Sequence, residues 1–159
     1  ILTSLAFVVG GSWTYYNFIH KRVRWPKAEF QVCESSYANE GQIYLSVKIH
    51  IKNVGQLLLP IDCVVTRVQQ VSPLTDDYRP GYHPTEEGVV LDWPTLVEKT
   101  KTYDAGELEL EPNETHEFDF DFLLAEDTRI IKVTAYIPNI RKSKRGIGWL
   151  ASSIHSITK

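Results

Sequence analysis

From residue 28 onward, apolar and polar side chains alternate along most of the chain with a period of two residues. The clearest case is Ile43–Lys52, in which the odd positions are aliphatic and the even positions are polar or amphipathic. A period of two places one set of side chains on each face of a β-strand, so such segments are predicted to be half-buried strands. Strands are therefore expected at about 28–34, 43–52, 59–72, 107–111, 118–122, 131–137 and 147–156, with turn residues between them.

About seven predicted strands, with no convincing helix among them, favour a mainly β domain built as an immunoglobulin-like antiparallel β-sandwich. The alternating faces would form the inner layers of two packed sheets. A closed barrel is the alternative, because alternation alone does not determine whether a sheet closes. The chain has 159 residues, of which 43% are apolar, so one domain with a real core is expected at 28–159.

The first nineteen residues differ from the rest, because they contain no ionisable side chain other than tyrosine. As a helix they would measure about 28 Å, close to the thickness of the hydrocarbon core of a bilayer. We therefore expect one N-terminal transmembrane helix at 1–20 and a basic juxtamembrane linker at 21–27. A cleaved signal peptide, a buried core helix and an interfacial helix fit less well. The segment lacks a basic start, is long for a core helix and has no polar face.

Two groups of residues within this predicted helix are expected to have specific roles, one in helix packing and one at the membrane interface. Small side chains spaced four apart would let a second membrane helix pack closely, unless the glycines are present only because glycine is common in such helices. Aromatic side chains gather toward the C-terminal end, where an interfacial belt is expected. The small residues are Ala6, Gly10, Gly11 and Thr14, and the aromatic residues are Trp13, Tyr15 and Tyr16.

Charge is distributed unevenly along the chain. All twenty acidic residues lie between Glu29 and Asp127, and basic residues flank them on both sides. In an immunoglobulin-like order the loop between the last two strands returns to the end at which the first strand starts. Both basic clusters would then face anionic lipid headgroups, although a solvated hairpin tip is the alternative for the second. The clusters are Lys21, Arg22, Arg24 and Lys27, and Arg141, Lys142, Lys144 and Arg145.

The same charges bear on location and on one class of partner. Basic residues next to the predicted helix place its C-terminal end inside the cell, which predicts an inner-membrane protein with a cytoplasmic β domain. The formal net charge of −3 excludes a globally basic nucleic-acid binder.

The segment 73–106 is too long for a tight turn and holds four of the eight prolines. We predict a long loop insertion here, with a short helix near Thr95–Lys101 after Pro94. Three aromatic residues, Tyr78, Tyr82 and Trp93, would give this loop a partner-binding surface. The alternative is that these side chains fold back and cover one sheet.

The sequence contains no catalytic or metal-binding motif. The five histidines lack zinc-ligand spacing, and a nucleophile elbow, a P-loop and a dinucleotide-binding fingerprint are missing. Cys33 and Cys63 lie in apolar, strand-like contexts, as expected of buried reduced thiols. We therefore expect no enzyme activity, no catalytic residue, no cofactor and no metal site.

Several segments resemble an uncharacterised family of short bacterial proteins, a domain of unknown function. These segments are GGSWTYYNFIHKRVRWPKAEF, VTRVQQVSPL, LDWP, EPNETHEFDFDF and GIGWLASSIHSI. Members of that family have one N-terminal membrane helix, a Trp-Thr-Tyr segment leading into a basic stretch and a proline, and a small β-rich domain. The resemblance implies an anchor followed by a sandwich, and it implies no activity, cofactor or catalytic residue.

The expected function is that of a non-catalytic, single-pass membrane-anchored accessory subunit. It would dock on a larger membrane protein complex, for which a respiratory or photosynthetic assembly is one candidate. Its expected partners are other membrane protein subunits and anionic lipid headgroups. The alternative is a membrane-tethered β-sandwich binding module that captures a peptide, a lipid or a small ligand through the 73–106 segment.

Overall fold

The structure is a computed structural model that describes residues 10–16, 26–74, 78, 81–85, 88–139 and 148–157, with the backbone alone over 81–91. Residues 10–16 are helical, and the rest of the described chain is built from strands and turns. The strands are β1 (Ala28–Asn39), β2 (Gln42–Asn53), β3 (Leu59–Pro60), β4 (Cys63–Ser72), β5 (Gly81–Thr85), β6 (Gly88–Asp92), β7 (Thr95–Thr102), β8 (Glu109–Leu110), β9 (Thr115–Ala125), β10 (Ile130–Pro138) and β11 (Gly148–Ser156).

Two antiparallel sheets form the body of the domain. The first has three strands in the order β1-β2-β9, and the second has four in the order β11-β10-β4-β7. The short pairs β3–β8 and β5–β6 lie outside these sheets. The chain crosses from one sheet to the other between β2 and β4, between β7 and β9, and between β9 and β10. This is the Greek-key order of immunoglobulin-like sandwiches, so the predicted mainly β sandwich is confirmed.

The core lies between the two sheets and follows the alternation that the sequence shows. In β2 every odd position from Ile43 to Ile51 is fully buried, and the even positions reach the outer surface. The buried phenylalanines of β9 face the aliphatic side chains of β10 and β4 across the sandwich. Besides β2, the core contains Leu59, Ile61, Val64, Val68, Leu110, Phe118, Phe120, Phe122, Leu124, Ile131, Val133, Ala135 and Ile137.

The segment 73–106 differs from its prediction. It contains the β5–β6 hairpin and the edge strand β7, so the short helix expected near Thr95–Lys101 is wrong. The β-branched residues in Thr95–Thr102 favour a strand. Pairing with β4 places Val97 opposite Val68, next to the core.

The predicted transmembrane helix is the main correction. Within the part of the chain that the structure describes, no helix combines the length and the apolar character that a membrane crossing needs, which contradicts the N-terminal part of the predicted fold class.

Within 10–16, Trp13 is 69% exposed, and nothing lies within 4 Å of the Cβ position that a side chain at Gly10 or Gly11 would add. Thr14, Tyr15 and Tyr16 are exposed as well. The remaining predicted residues of the helix, its linker and the second basic cluster lie outside the described residues, except for Lys27, which is exposed. They are Ala6, Lys21, Arg22, Arg24, Arg141, Lys142, Lys144 and Arg145.

The strand connections define the two ends of the sandwich. A short turn joins Ala125 of β9 to Ile130 of β10, so these two residues lie at the same end. Because neighbouring strands are antiparallel, Ala28, Pro138 and Gly148 lie together at the opposite end. The loop between β10 and β11 therefore starts and finishes at the end of the sandwich where β1 begins, as the immunoglobulin-like order predicts. The residues of this loop, 140–147, lie outside the described residues.

Asn53 organises this second end. It is completely buried, and its amide nitrogen donates to the carbonyl oxygens of Leu57 and Leu110, each at 2.8 Å. Its amide oxygen accepts from the Gly55 N–H at 2.9 Å. Every polar atom of this buried side chain thus has a partner, as burial requires.

Candidate functional site

A groove of about 460 Å³ crosses the outer face of the four-stranded sheet. Its floor consists of side chains that point away from the core on three neighbouring strands, and Asp92 at the end of β6 forms one side. A cavity of this size holds a few residues of a peptide or a small ligand. The lining residues are Val65, Arg67, Gln69, Asp92, Lys132, Thr134, Tyr136, Leu150 and Ser152.

The strand register arranges these side chains in three rows across the sheet. The apolar row consists of Leu150, Tyr136 and Val65, which are direct cross-strand partners. The hydroxyl row consists of Ser152 and Thr134 and ends at Arg67. The lysine row consists of Ile154, Lys132 and Gln69. One site therefore offers an aliphatic-aromatic surface, hydroxyl groups and a cation at fixed spacings.

Gly148 supports the apolar row. A Cβ at this position would lie 2.3 Å from the carbonyl oxygen of Ile137 and 2.7 Å from a ring carbon of Tyr136. Only a residue without a side chain therefore lets the Tyr136 ring lie against β11 at this point. The glycine thus determines where the aromatic floor of the groove sits.

The charges in the groove differ in their pairing. The Nε atom of Arg67 donates to an Oε2 of Glu98 at 2.7 Å, an exposed ion pair of small energetic value. Lys132 forms no ion pair with any carboxylate of the described residues. Lys132 is therefore the cation of this site that remains available to an anionic group of a partner.

A hydrogen-bonded cluster forms the rim of the groove. Gln69 is only 6% exposed, and its Nε2 donates to the carbonyl oxygen of Trp93 at 2.8 Å and to Oδ1 of Asp92 at 3.4 Å. The hydroxyl of Tyr78 donates to the carbonyl oxygen of Asp92. Desolvation, together with the negative charge of Asp92, raises the pKa of the Tyr78 phenol, which therefore remains a donor at neutral pH.

Two of the three aromatic residues predicted to bind a partner thus stand beside the groove. Tyr78 and Trp93 belong to the rim, with Trp93 half-buried. Tyr82 lies in β5, and its side chain is outside the described residues. The residues of the groove floor were missed from the sequence, because only the register between distant strands brings Val65, Tyr136 and Leu150 together.

A second polar cluster lies between β1 and β11, on the inner side of both strands. The hydroxyl of Ser36 is 2.9 Å from Nε2 of His155. Burial raises the pKa of Glu34, and the nearby His155 offsets part of this increase. Among the described residues no carboxylate forms an ion pair with the His155 ring, so the third contact of a Ser-His-acid triad is missing here.

The outer face of the three-stranded sheet carries paired charges. Lys48 lies 2.6 Å from Glu117 and 3.5 Å from Asp119, and His50 lies 3.2 Å from Glu117. Lys48 lowers the pKa of Glu117 through this contact. Across the part of the chain that the structure describes, no three His, Cys, Asp or Glu side chains come together to hold a metal ion, and both cysteines are free thiols.

Comparisons with known proteins show the fold. No family model and no curated protein matches the chain. Among solved structures it resembles Spo0M, a sporulation control protein from Bacillus subtilis, with a TM-score of 0.51 and 16% identity over 82% of this chain and 48% of that one. It also resembles a protein from Bordetella pertussis assigned as ApaA, with a TM-score of 0.50 and 16% identity over 85% of this chain and 97% of that one.

A structural-genomics target gives a similar result, with a TM-score of 0.50 and 13% identity over 81% of this chain and 85% of that one. The chain thus spans about half the length of Spo0M and nearly all of the ApaA structure. Identities this low show a shared β-rich fold, which by itself shows neither an enzyme activity nor its absence. The matches agree with the β-rich part of the resemblance to an uncharacterised family, and the membrane helix of that resemblance is not supported.

Proposed function

We propose that this domain is a non-catalytic docking module, which holds an extended segment of a partner protein in the groove on the outer face of its four-stranded sheet. The observation that carries the proposal is the combination of an outward-facing apolar row, in which Leu150 is 65% exposed, with Lys132, a cation without an ion-pair partner among the described residues. Protein-binding surfaces commonly join aromatic side chains to a polar surround in this way.

The spacing of the rows defines the partner segment. Tyr136 and Lys132 lie four residues apart on β10, which corresponds to roughly 13 Å along a strand. A partner segment that runs along β10 in an extended conformation would place an apolar side chain on Tyr136. It would place the carboxylate of a residue four positions away at Lys132. Ser152 and Thr134 lie between these two points and supply hydroxyl groups for hydrogen bonds.

The rim supports binding by limiting movement at one side of the groove. Gln69, Asp92 and Trp93 are tied together by hydrogen bonds, so this side changes little when a partner arrives. Such a groove serves an accessory subunit that attaches to a larger protein complex, and it serves equally a module that captures a peptide. The proposal includes no catalytic step, because the Ser36–His155 pair faces inward and no carboxylate of the described residues forms an ion pair with the His155 ring.

The test is selection from a library of displayed random peptides, with the full chain as bait. We expect the selected peptides to carry an aliphatic or aromatic residue and an Asp or Glu four positions apart. Tyr136→Ala and Lys132→Glu should each weaken binding of a selected peptide by roughly tenfold or more. The matched control is Lys52→Glu, which makes the same charge change on an exposed position of the other sheet.

Two results would count against the docking module. One is a selection that yields no peptide with this spacing. The other is a selected peptide that binds the Tyr136 and Lys132 variants as tightly as it binds the unmodified chain.

A further inference from the structure

The two edge strands of the four-stranded sheet differ in charge. Strand β7 carries Glu98, Lys99 and Lys101 within eight residues. Strand β11 has nine residues and no Asp, Glu, Lys or Arg. Charged side chains, lysine above all, are the usual means by which an edge strand avoids pairing with another chain. The edge at β11 lacks this protection.

The lysines of β7 also close their side of the sandwich. Lys101 donates from Nζ to the carbonyl oxygen of Asp119 at 2.6 Å, and Lys99 donates to that of Asp121. Both ammonium groups lie over phenylalanine rings of β9, at 4.8 Å from Phe120 and 5.1 Å from Phe122. These two carbonyl oxygens of β9 therefore already accept hydrogen bonds from side chains of this chain.

The β11 side is closed differently: among the described residues, side chains join β1 and β11, and no lysine donates to a backbone carbonyl of either strand. Among the described strands its backbone pairs with β10 alone, and the hydrogen bond that links it to β1 joins the side chains of Ser36 and His155. Its outward side chains include Leu150, 65% exposed, and Ile154, 68% exposed. An uncharged strand edge with two exposed aliphatic side chains is a template for an added strand.

The sequence of β11 is complementary to itself. In an antiparallel pair, partners must lie on the same face, so the outward residues Leu150, Ser152 and Ile154 pair only with outward residues. When two copies of β11 pair about Ser152, Leu150 of each copy lies opposite Ile154 of the other, and the two Ser152 residues face each other. Every other register on this face places at least one aliphatic side chain opposite a serine or outside the pair.

We propose that β11 pairs antiparallel with β11 of a second copy of this chain, centred on Ser152. The two four-stranded sheets then form one continuous eight-stranded sheet. The small residues Ala151, Ser152 and Ser153 at the centre let the backbones approach. The pairing is isologous, so it closes after two copies and does not continue into a fibre. This inference goes beyond the docking function, because a single groove needs no second copy.

The first experiment is sedimentation of the full chain over a range of concentrations, in one mild detergent for all samples because residues 1–19 are rich in apolar side chains. We expect a monomer–dimer equilibrium. Ser152→Lys should raise its dissociation constant tenfold or more, because two lysines would meet at the centre of the pair. Thr100→Lys, on exposed edge strand β7, is the matched control and should leave the equilibrium unchanged. Circular dichroism checks that both variants are folded.

The second experiment tests the register in a background where Cys33 and Cys63 are replaced by serine. Ser152→Cys should cross-link two copies on mild oxidation, whereas Ser156→Cys, an outward residue at the end of the strand, should not. The proposal is overturned if the unmodified chain stays monomeric up to high concentration. It is also overturned if Ser152→Lys dimerises as the unmodified chain does, or if both cysteine variants cross-link equally.

Discussion

The two lateral sides of this sandwich close the gap between the sheets in different ways. On the β7–β9 side, Lys99 and Lys101 reach across and donate hydrogen bonds to backbone carbonyls of β9. On the β1–β11 side, side chains meet: Ser36 contacts His155, and Glu34 lies half-buried beside them. The first side is charged and its carbonyls are occupied, and the second is neutral along β11. An edge closed by lysines discourages strand addition, and an uncharged edge permits it.

The largest effect is expected from a change in the support of β11. Gly148→Val would force the carbonyl of Ile137 and the ring of Tyr136 to move, because the added Cβ would overlap both. Overpacking of this kind costs about 3 kcal/mol of unfolding free energy, measured by denaturant titration. Peptide binding in the groove should weaken at the same time. A variant with unchanged stability and binding would show that Gly148 does not hold the ring in place.

A smaller loss is expected on the β7–β9 side. The double substitution of Lys99 and Lys101 by alanine leaves the carbonyls of Asp119 and Asp121 to water and removes two contacts with phenylalanine rings. Because these groups are exposed, the expected loss is about 1 kcal/mol in total. The variant should also self-associate more readily than the unmodified chain in light scattering. If neither property changes, the lysines do not close this side.

Ser36→Ala should cost somewhat less. It removes the hydroxyl that lies 2.9 Å from Nε2 of His155, which is a partly buried hydrogen bond. The expected loss is about 0.5 to 1 kcal/mol, measured by denaturant titration, with Ser35→Ala on the exposed face of the same strand as the control. Equal losses in the two variants would mean that the contact does not stabilise the β1–β11 side.

The smallest effect depends on pH and belongs to Glu34. Burial raises the pKa of this carboxyl above its ordinary value, and His155 opposes the shift in part. Its contribution to stability is therefore fully present at low pH and is lost as the pH rises through the raised pKa. Glu34→Gln should raise the melting temperature relative to the unmodified chain at pH 7, and the gain should disappear toward pH 4. Glu29→Gln, at an exposed position of the same strand, is the matched control.

The alternation of side chains was enough to predict the core and most of the sandwich. The strand expected at 131–137 is Ile130–Pro138 in the structure, and the pattern of Ile43–Lys52 became the central strand of its sheet with all its odd positions buried. When one whole face of a strand is buried, a register shift of one residue would move its apolar side chains to the solvent face. The local alternation therefore determines which residues face the core.

Two parts of the chain could not be predicted in this way. Edge strand β7 is exposed on both faces over most of its length, so it has no apolar alternation to reveal it. The absence of charge in residues 1–19 indicates a low free-energy cost in lipid, but it does not by itself show that a helix crosses a bilayer. No helix of the described residues is long and apolar enough to do so.

The groove illustrates a further limit of the sequence. Its floor joins Val65, Tyr136 and Leu150, which are far apart in the chain and meet only through the pairing of β10 with β4 and β11. The rim residues Tyr78 and Trp93 were accessible to prediction, because aromatic residues in a long polar segment stand out. Local pattern thus drew attention to the segment that lies beside the candidate groove, whereas the groove itself forms only through the pairing of distant strands.

Amide hydrogen exchange at two protein concentrations, about 1 and 100 µM, tests the difference between the two sides most directly. The account predicts that amides of β11 exchange more slowly at the higher concentration, because they pair with a second copy. Those of β7 should exchange at the same rate at both concentrations. Slower exchange in β7, or no change in β11, would contradict it.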